Sequence, residues 1–584
     1  MIDFKRYFCG MSMLEWFYTF LTATTTDLLD AELSSQFQKA LPSQEPRRIA
    51  IGLDLTSSYL KTSGLKQLYQ ILAAYAKFEP DQDESSSCQV VQYVITSLNL
   101  SQSNLSEPQD YEILTKIMLL QSPRVAIQHL NLAQTLSPTP HIESISGFQK
   151  FVQRVVRDDT SNLQELVVGG GAVDYTHFAA ICSALRYSTK MKALRIEQSP
   201  AILVPVNSSA VWSWFALALM HPSSMSKLSA LAIPYVHIFA GDVAKAQQTL
   251  ASPHPAFVTF ATKSPELAET IEREDDVQLN VAGKTFVTVK RSAKLRMEPK
   301  TRGRAIDLSK NAIDRPLEVV ATLSKWTCVI VPGYGFGWVG NAAIVTHDDC
   351  EIVSRKPIPL RSFMWVSYSL YNGHNIGTVE ALLQLIGERL TALYLSRTQV
   401  MDAELARILS YCQSLKHLEI PSHNLRSLGF LREDTPRSLR SLNIRPQAPW
   451  QQDLLDPPAD QIISDLTSFL TGPSSSQLQQ LAFELSQDDC NQVKQLVSVL
   501  RQHPAVEIVN IAQNGPWDGE HIHDELKTLD DQIIGLRSPP MATKLAFLSV
   551  IHQNERALGR IDAILVSMIF TFASAVKQRR VSHK

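Results

Sequence analysis

The stretch Leu393-Tyr394-Leu395-Ser396-Arg397-Thr398-Gln399-Val400 decides the fold of this chain. Leu393 and Leu395 alternate with other residues, which is typical of a short strand with one buried face. A small polar residue, Thr398, and a further apolar residue, Val400, then turn the chain back under the strand. The pattern returns about a dozen times along the chain. One such unit cannot bury its apolar face alone whereas a stack can, so the sequence predicts a solenoid.

The repeated units share two apolar residues that are two positions apart. These pairs are Leu53/Leu55, Leu98/Leu100, Leu130/Leu132, Leu166/Val168, Leu194/Ile196, Leu231/Ile233, Tyr368/Leu370, Leu393/Leu395, Leu418/Ile420, Leu442/Ile444, Leu481/Phe483 and Val509/Ile511. Between the pairs the apolar period changes to that of a helix, as at Leu65, Leu68 and Leu72. Repetition of strand, turn and helix predicts an α/β fold with parallel strands on one side and helices on the other.

The pattern resembles the leucine-rich repeat family, in its long, helix-containing, ribonuclease-inhibitor-like class, over residues 45 to 515. The resemblance implies a solenoid with parallel strands on the concave side and helices on the convex side. An ordinary α/β protein with parallel strands is the alternative. The position that usually holds Asn is filled by hydroxyl residues, whose side chains can still cap backbone amides of the turn. They are Ser58, Ser103, Thr135, Ser199, Thr398 and Ser486, and Asn514 alone keeps the amide.

The repeat disappears between Leu231 and Tyr368, where short alternating stretches are separated by Gly and Pro turns. Such a pattern favours a small all-β barrel. Residues 317–345, with Gly337-Trp338-Val339 after Trp326 and a glycine turn, are similar to the SH3-like barrels of the bacterial type. We therefore predict an inserted SH3-like barrel over 277–350. Its core would be its own and its ends close together, so its removal should leave the solenoid folded.

Four aromatic residues of this insert carry two interpretations. Trp326, Tyr334, Phe336 and Trp338 could line a groove for a Pro-rich peptide. Alternatively, Trp326 and Trp338 pack in the barrel core and Tyr334 caps a turn. The sequence leaves both open.

The chain is divided by these patterns into consecutive segments. We predict an N-terminal helical segment or cap (1–45), the first part of the repeats (46–240), a linker (241–276), the barrel (277–350), the second part of the repeats (351–516), an acidic and Pro-containing linker (517–540) and a C-terminal helical cap (541–584). The apolar helices in the last segment could instead dock a partner.

Composition restricts the function. The net charge of −2 offers no basic excess for a phosphate backbone, so nucleic acid is not an expected partner. The seven cysteines are unpatterned, which suits a reducing, cytoplasmic compartment. The last apolar run, from Ile561 to Val576, contains Asp562 and is short for a membrane span, so a membrane is not expected either. No HExxH, GxSxG or Walker motif occurs, and we expect neither a cofactor nor a metal.

The leading hypothesis is a non-enzymatic protein-interaction scaffold that binds a protein partner on the strand face, with the barrel as a second contact module. Outward strand positions would carry recognition, namely Asp54, Asn99, Asn131, Arg195, Tyr394, Glu419 and Asn443. A second hypothesis is a substrate-reading adaptor in ubiquitin transfer or immune-type signalling, recruited through residues 11–29 or 540–584. A third is an enzyme whose site lies in the insert or in the Pro-rich loop after Ile444.

Overall fold

A computed structural model provides the structure of the chain. It describes residues 47–56, 60–77, 91–103, 105–136, 142–157, 160–170, 173–198, 208–234, 238–281, 284–290, 293–300, 305–307, 316–348, 358–366, 376–396, 402–421, 427–433, 438–445, 459–485, 490–513, 527–530, 532–537 and 575–583. The chain divides into two compact units, Met1–Trp365 and Val366–Lys584.

The first unit stacks strand–helix repeats in chain order. Its strands are β1 (Arg47–Asp54), β2 (Val91–Asn99), β3 (Val125–Leu136), β4 (Glu165–Gly170), β5 (Ala193–Gln198) and β6 (Ala230–Ala232). The helices are α1 (Thr62–Lys77), α2 (Pro108–Met118), α3 (Ile142–Val155), α4 (Tyr175–Leu185), α5 (Ser208–Phe215), α6 (Ala240–Ala251), α7 (Pro255–Lys263) and α8 (Pro265–Glu272). Each strand pairs in parallel with the next one in the chain, which is the predicted solenoid order.

The alternating leucines explain why these strands form. In β2, Leu98 is fully buried while its neighbour Asn99 stays partly exposed on the opposite face. The buried face is covered by helices whose own apolar stripe repeats every three or four residues, as with Leu65, Leu68 and Leu72 of α1. Successive helices also pack on one another, so the apolar core is continuous along the stack.

An all-β insert interrupts the repeats after α8. Its strands are β7 (Gln278–Leu279), β8 (Thr285–Val289), β9 (Lys294–Arg296), β10 (Ala305–Asp307), β11 (Leu317–Thr322), β12 (Trp326–Val331), β13 (Gly335–Gly340) and β14 (Ile344–Asp348). They pair antiparallel in the order β10-β9-β13-β12-β11-β8-β14, and β7 pairs with β11. The repeat then resumes with β15 (Ser362–Val366), which pairs in parallel with β6. The strands of the insert therefore lie within the predicted boundaries of 277–350.

The second unit repeats the same architecture. Its parallel strands are β16 (Ala392–Ser396), β17 (His417–Pro421), β18 (Ser441–Arg445), β19 (Gln480–Leu485) and β20 (Ile508–Gln513), followed by an antiparallel pair, β21 (Ile533–Arg537) and β22 (Ala575–Gln578), and by β23 (Arg580–His583). The helices are α9 (Ile376–Ile386), α10 (Asp402–Ser410), α11 (Phe430–Glu433), α12 (Ala459–Thr471) and α13 (Cys490–Gln502). The last strand, β23, pairs in parallel with β20.

Three segment predictions need correction. Residues 241–276 are not a linker, because α6, α7 and α8 lie there and bury Val243, Phe257 and Phe260. The repeat after the insert uses β15 with Phe363 turned inward, whereas the predicted pair Tyr368 and Leu370 lies outside the described residues.

The third correction concerns the two predicted segments at the end of the chain. The described part of 541–584 is β22 and β23 rather than helix, because β23 extends the parallel strands by pairing with β20. The predicted linker over 517–540 contains β21, which pairs with β22. The apolar helices expected before residue 575, and the segment 1–45, lie outside the described residues.

Candidate functional site

The outward positions chosen from the sequence lie in register on the strand face of each unit. In the first unit Asp54 pairs with Asn99, Asn99 with Asn131, Asn131 with Val167, and Val167 with Arg195. In the second unit Tyr394 pairs with Glu419 and Glu419 with Asn443. Each set is therefore a row across neighbouring strands, and its role in binding stays a prediction.

The first three members of the row cap their own turns. A side-chain oxygen of Asp54, Asn99 and Asn131 accepts the backbone N–H two residues further on, at 3.0, 3.1 and 2.9 Å. Asn99 also donates its Nδ2–H to Oδ1 of Asp54 at 3.0 Å. These are Asx turns stacked into a ladder, at the ends of β1 and β2 and within β3. The ladder therefore uses hydrogen-bonding groups that were expected to contact a partner.

Of the hydroxyl residues expected to cap the turns, Ser103 and Thr135 are described, whereas Ser58, Ser199, Thr398 and Ser486, like Asn514, lie outside the described residues. Thr135 donates its hydroxyl to the carbonyl of Leu132 at 2.8 Å and does not cap an amide. The amides are capped by the asparagines instead, and the chain turns through left-handed residues, Gln102 at φ 65° and Gln134 at φ 56°. In these two repeats, the amide side chain at the outward position between the two inward leucines, Asn99 or Asn131, accepts a backbone N–H of the turn.

A histidine–carboxylate contact and an ion pair lie on the strand face in the first unit. His129 Nδ1 lies 2.8 Å from Glu165 Oε2 across β3 and β4, and Arg195 Nε lies 2.7 Å from Glu197 Oε1 on β5. The side chains of His129 and Arg195 are 43% and 44% exposed. We name these four residues the charged patch. It combines exposed charges of both signs on a rigid parallel sheet, which suits recognition of a polar protein surface.

The row in the second unit includes a buried carboxylate. Glu419 is only 7% exposed and its Oε2 accepts a hydrogen bond from Asn443 Nδ2 at 2.9 Å. Burial and the neighbouring charge of Glu419 raise the pKa of Tyr394 above its usual range. Tyr394 and Asn443 are partly exposed, so they are available to a partner, and the hydrogen bond from Asn443 to Glu419 fixes the position of the Asn443 side chain.

The insert turns its aromatic residues towards the repeats. Trp326, Phe336 and Trp338 lie on one face of the β12–β13 pair, because Trp326 is opposite Gly340, Cys328 opposite Trp338 and Ile330 opposite Phe336. The ring of Phe336 stacks on Trp214 of α5, with centroids 4.5 Å apart. The ring of Phe260 on α7 meets Trp338 edge to face at 6.0 Å. The groove prediction is therefore wrong for Trp338, which is fully buried, because α7 covers this face.

The core interpretation also needs correction. The barrel core contains Val287, Leu295, Val329 and Tyr334, whereas Trp338 lies on the opposite face of its strand. Tyr334 belongs to this core in addition to its turn, and burial raises the pKa of its hydroxyl to about 12. Trp326 stays half-buried with Arg296 placed 5.9 Å over its ring. The aromatic residues thus join two layers of the first unit.

The glycine turn of the insert is inserted between helices. Ser183 of α4 accepts hydrogen bonds from the backbone N–H groups of Gly333 and Gly335 at 3.0 and 3.2 Å. Gly333 has a φ of +83°, and a Cβ there would lie 2.6 Å from Cβ of Gln153 on α3. A side chain at this position would therefore meet both strain and a clash. The glycines permit close docking and show no phosphate-binding arrangement of strand and helix.

A buried ion pair locks the insert to the repeats. Arg186, at the end of α4, donates from Nε and Nη2 to the two carboxylate oxygens of Glu318 in β11 at 2.7 and 2.9 Å. Both side chains are almost completely buried, at 1% and 0% exposure. Burial opposes the charge on Arg186, but the charge and hydrogen bonds of Glu318 outweigh it, so the pKa of Arg186 is raised.

The same guanidinium supports an irregular helix. Arg186 Nη1 donates to the carbonyl of Leu217 at 2.6 Å, within the π-helix Ala216–Met220 that continues α5. Its Nη2 also reaches Ser223 Oγ at 2.7 Å, and Ser223 lies 2.7 Å from Nδ1 of His221. Burial, followed by the charge of Arg186, lowers the pKa of His221 to about 4 although Glu318 acts in the opposite direction. His221 is therefore neutral at pH 7.

This histidine predicts a pH dependence. In the unfolded chain His221 has its ordinary pKa of about 6.5, whereas in the folded chain its pKa is about 4. The unfolded chain therefore binds an extra proton between these two values. The resulting stabilisation of the folded chain is complete above about pH 6.5 and is lost as the pH falls towards about 4. We expect His221→Asn to remove this pH-dependent part of the stability, while the asparagine oxygen replaces Nδ1 as a hydrogen-bond acceptor. Urea unfolding of both proteins at several pH values checks it. A stability difference that stays constant over this pH range would contradict the expectation.

The described residues contain no group of three or more His, Cys, Asp or Glu side chains that could hold a metal ion. His521 and His523, which have metal-ligand types, lie outside them. No helix in the described part of the chain is both long and apolar enough to cross a membrane.

Comparison with known proteins adds little. No protein-family model matches the chain, and no curated protein matches it. A solved structure that does match is described as "Crystal structure of Rad7 and Elc1 complex in yeast"; its sequence identity is 10%, its TM-score is 0.25, and the match covers 79% of this chain and 87% of that chain. A TM-score this low does not define the fold, so the architecture here follows from strand order and register.

Proposed function

We propose that this chain is a non-enzymatic protein-interaction scaffold of the leucine-rich repeat class, which binds a protein partner on the strand face of its repeats. The observation that carries the proposal is the charged patch, His129, Glu165, Arg195 and Glu197, displayed on the parallel strands of the first unit. Helices cover the other face of these strands, so the outward row is the surface that the repeats leave for a partner.

The insert has a supporting role in this proposal. We keep its assignment as an SH3-like barrel, but its aromatic face contacts α5 and α7, which excludes Trp338 from a peptide groove. We therefore propose that the insert covers the helices of the repeats and holds the strand face rigid. A cytoplasmic location stays part of the proposal.

Charge reversal at Arg195 tests the proposed surface. We expect Arg195→Glu to weaken binding of a partner isolated with the native protein by several-fold, mainly by slowing association, with a smaller loss at high salt. Loss of its exposed pair with Glu197 costs less than about 1 kcal/mol, so the circular dichroism spectrum should be unchanged. Binding kinetics with purified components at two salt concentrations provide the measurement.

A matched variant distinguishes an effect of the strand face from a general effect of the changed net charge. Lys150 on α3 is also exposed, and Lys150→Glu changes the charge of the chain by the same amount away from the strand face. Equal binding by Arg195→Glu and the native protein, or equal losses in the two variants, would contradict the proposal. Reversal of Glu419 is not suitable, because this side chain is 7% exposed and its loss would disturb folding.

A further inference from the structure

The second unit places two basic residues side by side at the starts of neighbouring strands. Lys416 and Arg440 occupy the same place in successive repeats, because each directly precedes its strand, β17 or β18. The N–H of Lys416 donates to the carbonyl of Thr391 at 2.8 Å, and the N–H of Arg440 donates to the carbonyl of Lys416 at 2.8 Å. The two backbones therefore lie one strand spacing apart, about 4.8 Å.

Neutral residues border these two cations within the same row. Thr391 precedes Lys416, and Gln479 follows Arg440, with its N–H donating to the carbonyl of Arg440 at 2.7 Å. The first acidic residue of the row is Glu507, one strand beyond Gln479. Among the ion pairs of the described residues, none includes Lys416 or Arg440. Arg440 is exposed and Lys416 is partly exposed.

His417, the first residue of β17, adjoins both cations. Burial, and then the charges of Arg440 and Lys416, lower its pKa below the usual range. Glu419 lies two residues further along β17, but it is 7% exposed and hydrogen-bonded to Asn443. The electrostatic environment of His417 is therefore dominated by positive charge. We name Lys416, His417 and Arg440 the basic patch.

We propose that the basic patch binds an acidic peptide segment of the partner protein. This inference rests on the proposed scaffold function and adds the chemistry of the partner. Carboxylates on alternate residues of an extended peptide lie on one side, about 6.8 Å apart, within reach of a Lys and an Arg that start one strand spacing apart. The guanidinium can take a carboxylate in bidentate geometry. The neutral borders limit the patch to two neighbouring cations, which would neutralise few phosphates of a nucleic acid, so an acidic peptide is the favoured partner.

A labelled peptide of alternating Glu and Ser tests the inference with the full chain. We expect fluorescence anisotropy to show salt-sensitive binding, and Lys416→Glu/Arg440→Glu to reduce the affinity by about tenfold or more. Lys66→Glu/Lys150→Glu is the matched control, since it changes the net charge by the same amount at exposed residues of the helices α1 and α3, and this variant should bind as the native chain does. A peptide with Gln in place of Glu should not bind.

Three outcomes would overturn the inference. They are no binding of the Glu peptide by the native chain, equal binding by the basic-patch variant, and tighter binding of a single-stranded polynucleotide or an anionic vesicle of the same charge. None depends on Arg195, so the inference and the proposed function can fail separately. Circular dichroism of each variant distinguishes lost binding from lost folding.

Discussion

Glu318→Gln is expected to destabilise the first unit by about 3–5 kcal/mol, because it leaves the guanidinium of Arg186 buried without its counter-charge. The replacement keeps the shape of the side chain, so the loss of stability reflects the missing charge rather than altered packing. Tyr187, whose hydroxyl lies 3.2 Å from Glu318 Oε2, also loses a charged acceptor. Chemical denaturation followed by near-ultraviolet circular dichroism, which detects the tryptophans at this interface, provides the measurement.

The exposed pair Arg195–Glu197 is the control for this prediction. Glu197→Gln removes a carboxylate at a similar distance from its arginine, 2.7 Å in each case, but should cost less than about 1 kcal/mol because water screens the pair. The double variant Arg186→Met/Glu318→Leu should regain only part of the loss, since the carbonyl of Leu217 then has no donor from Arg186. Similar losses of unfolding free energy in Glu318→Gln and Glu197→Gln would contradict the stabilising role of the buried pair Arg186–Glu318.

Leu393→Asp should unfold the repeats around β16. Leu393 is fully buried, and a carboxylate there would face leucines of the neighbouring repeats at a cost of several kcal/mol. We expect a large fall in the melting temperature and rapid proteolysis of the second unit. Thermal unfolding by circular dichroism and limited proteolysis check this result.

An outward position provides the matched control. Asn510 is exposed on β20, in the row formed with Ala482 and Ser582, so Asn510→Asp introduces the same charge on the other face of the strands. It should change stability by less than about 0.5 kcal/mol. Tyr394 is less suitable, because an acid there would lie beside Glu419. Equal melting temperatures of Leu393→Asp and Asn510→Asp would show that the strand register is wrong.

The strand order of the repeats could be predicted because its cause is local. Each repeat places two inward side chains on one short strand, as Leu98 and Leu100 do, and the next repeat supplies the rest of the core. The strand after the insert was misplaced because β15 has the sequence Ser-Phe-Met-Trp-Val, which lacks the paired aliphatic residues. Helices α7 and α8 did carry a signal, since Pro255 and Pro265 occupy first-turn positions, but their neighbours resemble a polar connection.

The docking of the insert could not be predicted, because strand alternation does not identify what covers the second face. One indication was present: β12 reads Trp-Thr-Cys-Val-Ile-Val, and so continuous an apolar run favours burial on both faces. The partners Arg186 and Glu318, however, are 132 residues apart. Likewise, the alternation of residues along each strand predicted that Asp54, Asn99 and Asn131 lie on one face. Their capping role could not be predicted, because it depends on the backbone conformation of the residues that follow each of them.

The buried ion pair between Arg186 and Glu318 has a consequence for biosynthesis. Most repeat arrays can fold as they emerge from the ribosome, because each unit needs only its neighbour. Here Arg186 and the carbonyl of Leu217 come out of the exit tunnel long before Glu318, so the nascent chain holds an uncompensated cation among apolar helices until the insert follows. A truncated chain ending at residue 276 should therefore bind chaperones and aggregate. Because of the order of translation, the insert can dock on the helices only late in the folding of the first unit, and slow folding is the kinetic cost of such distant contacts.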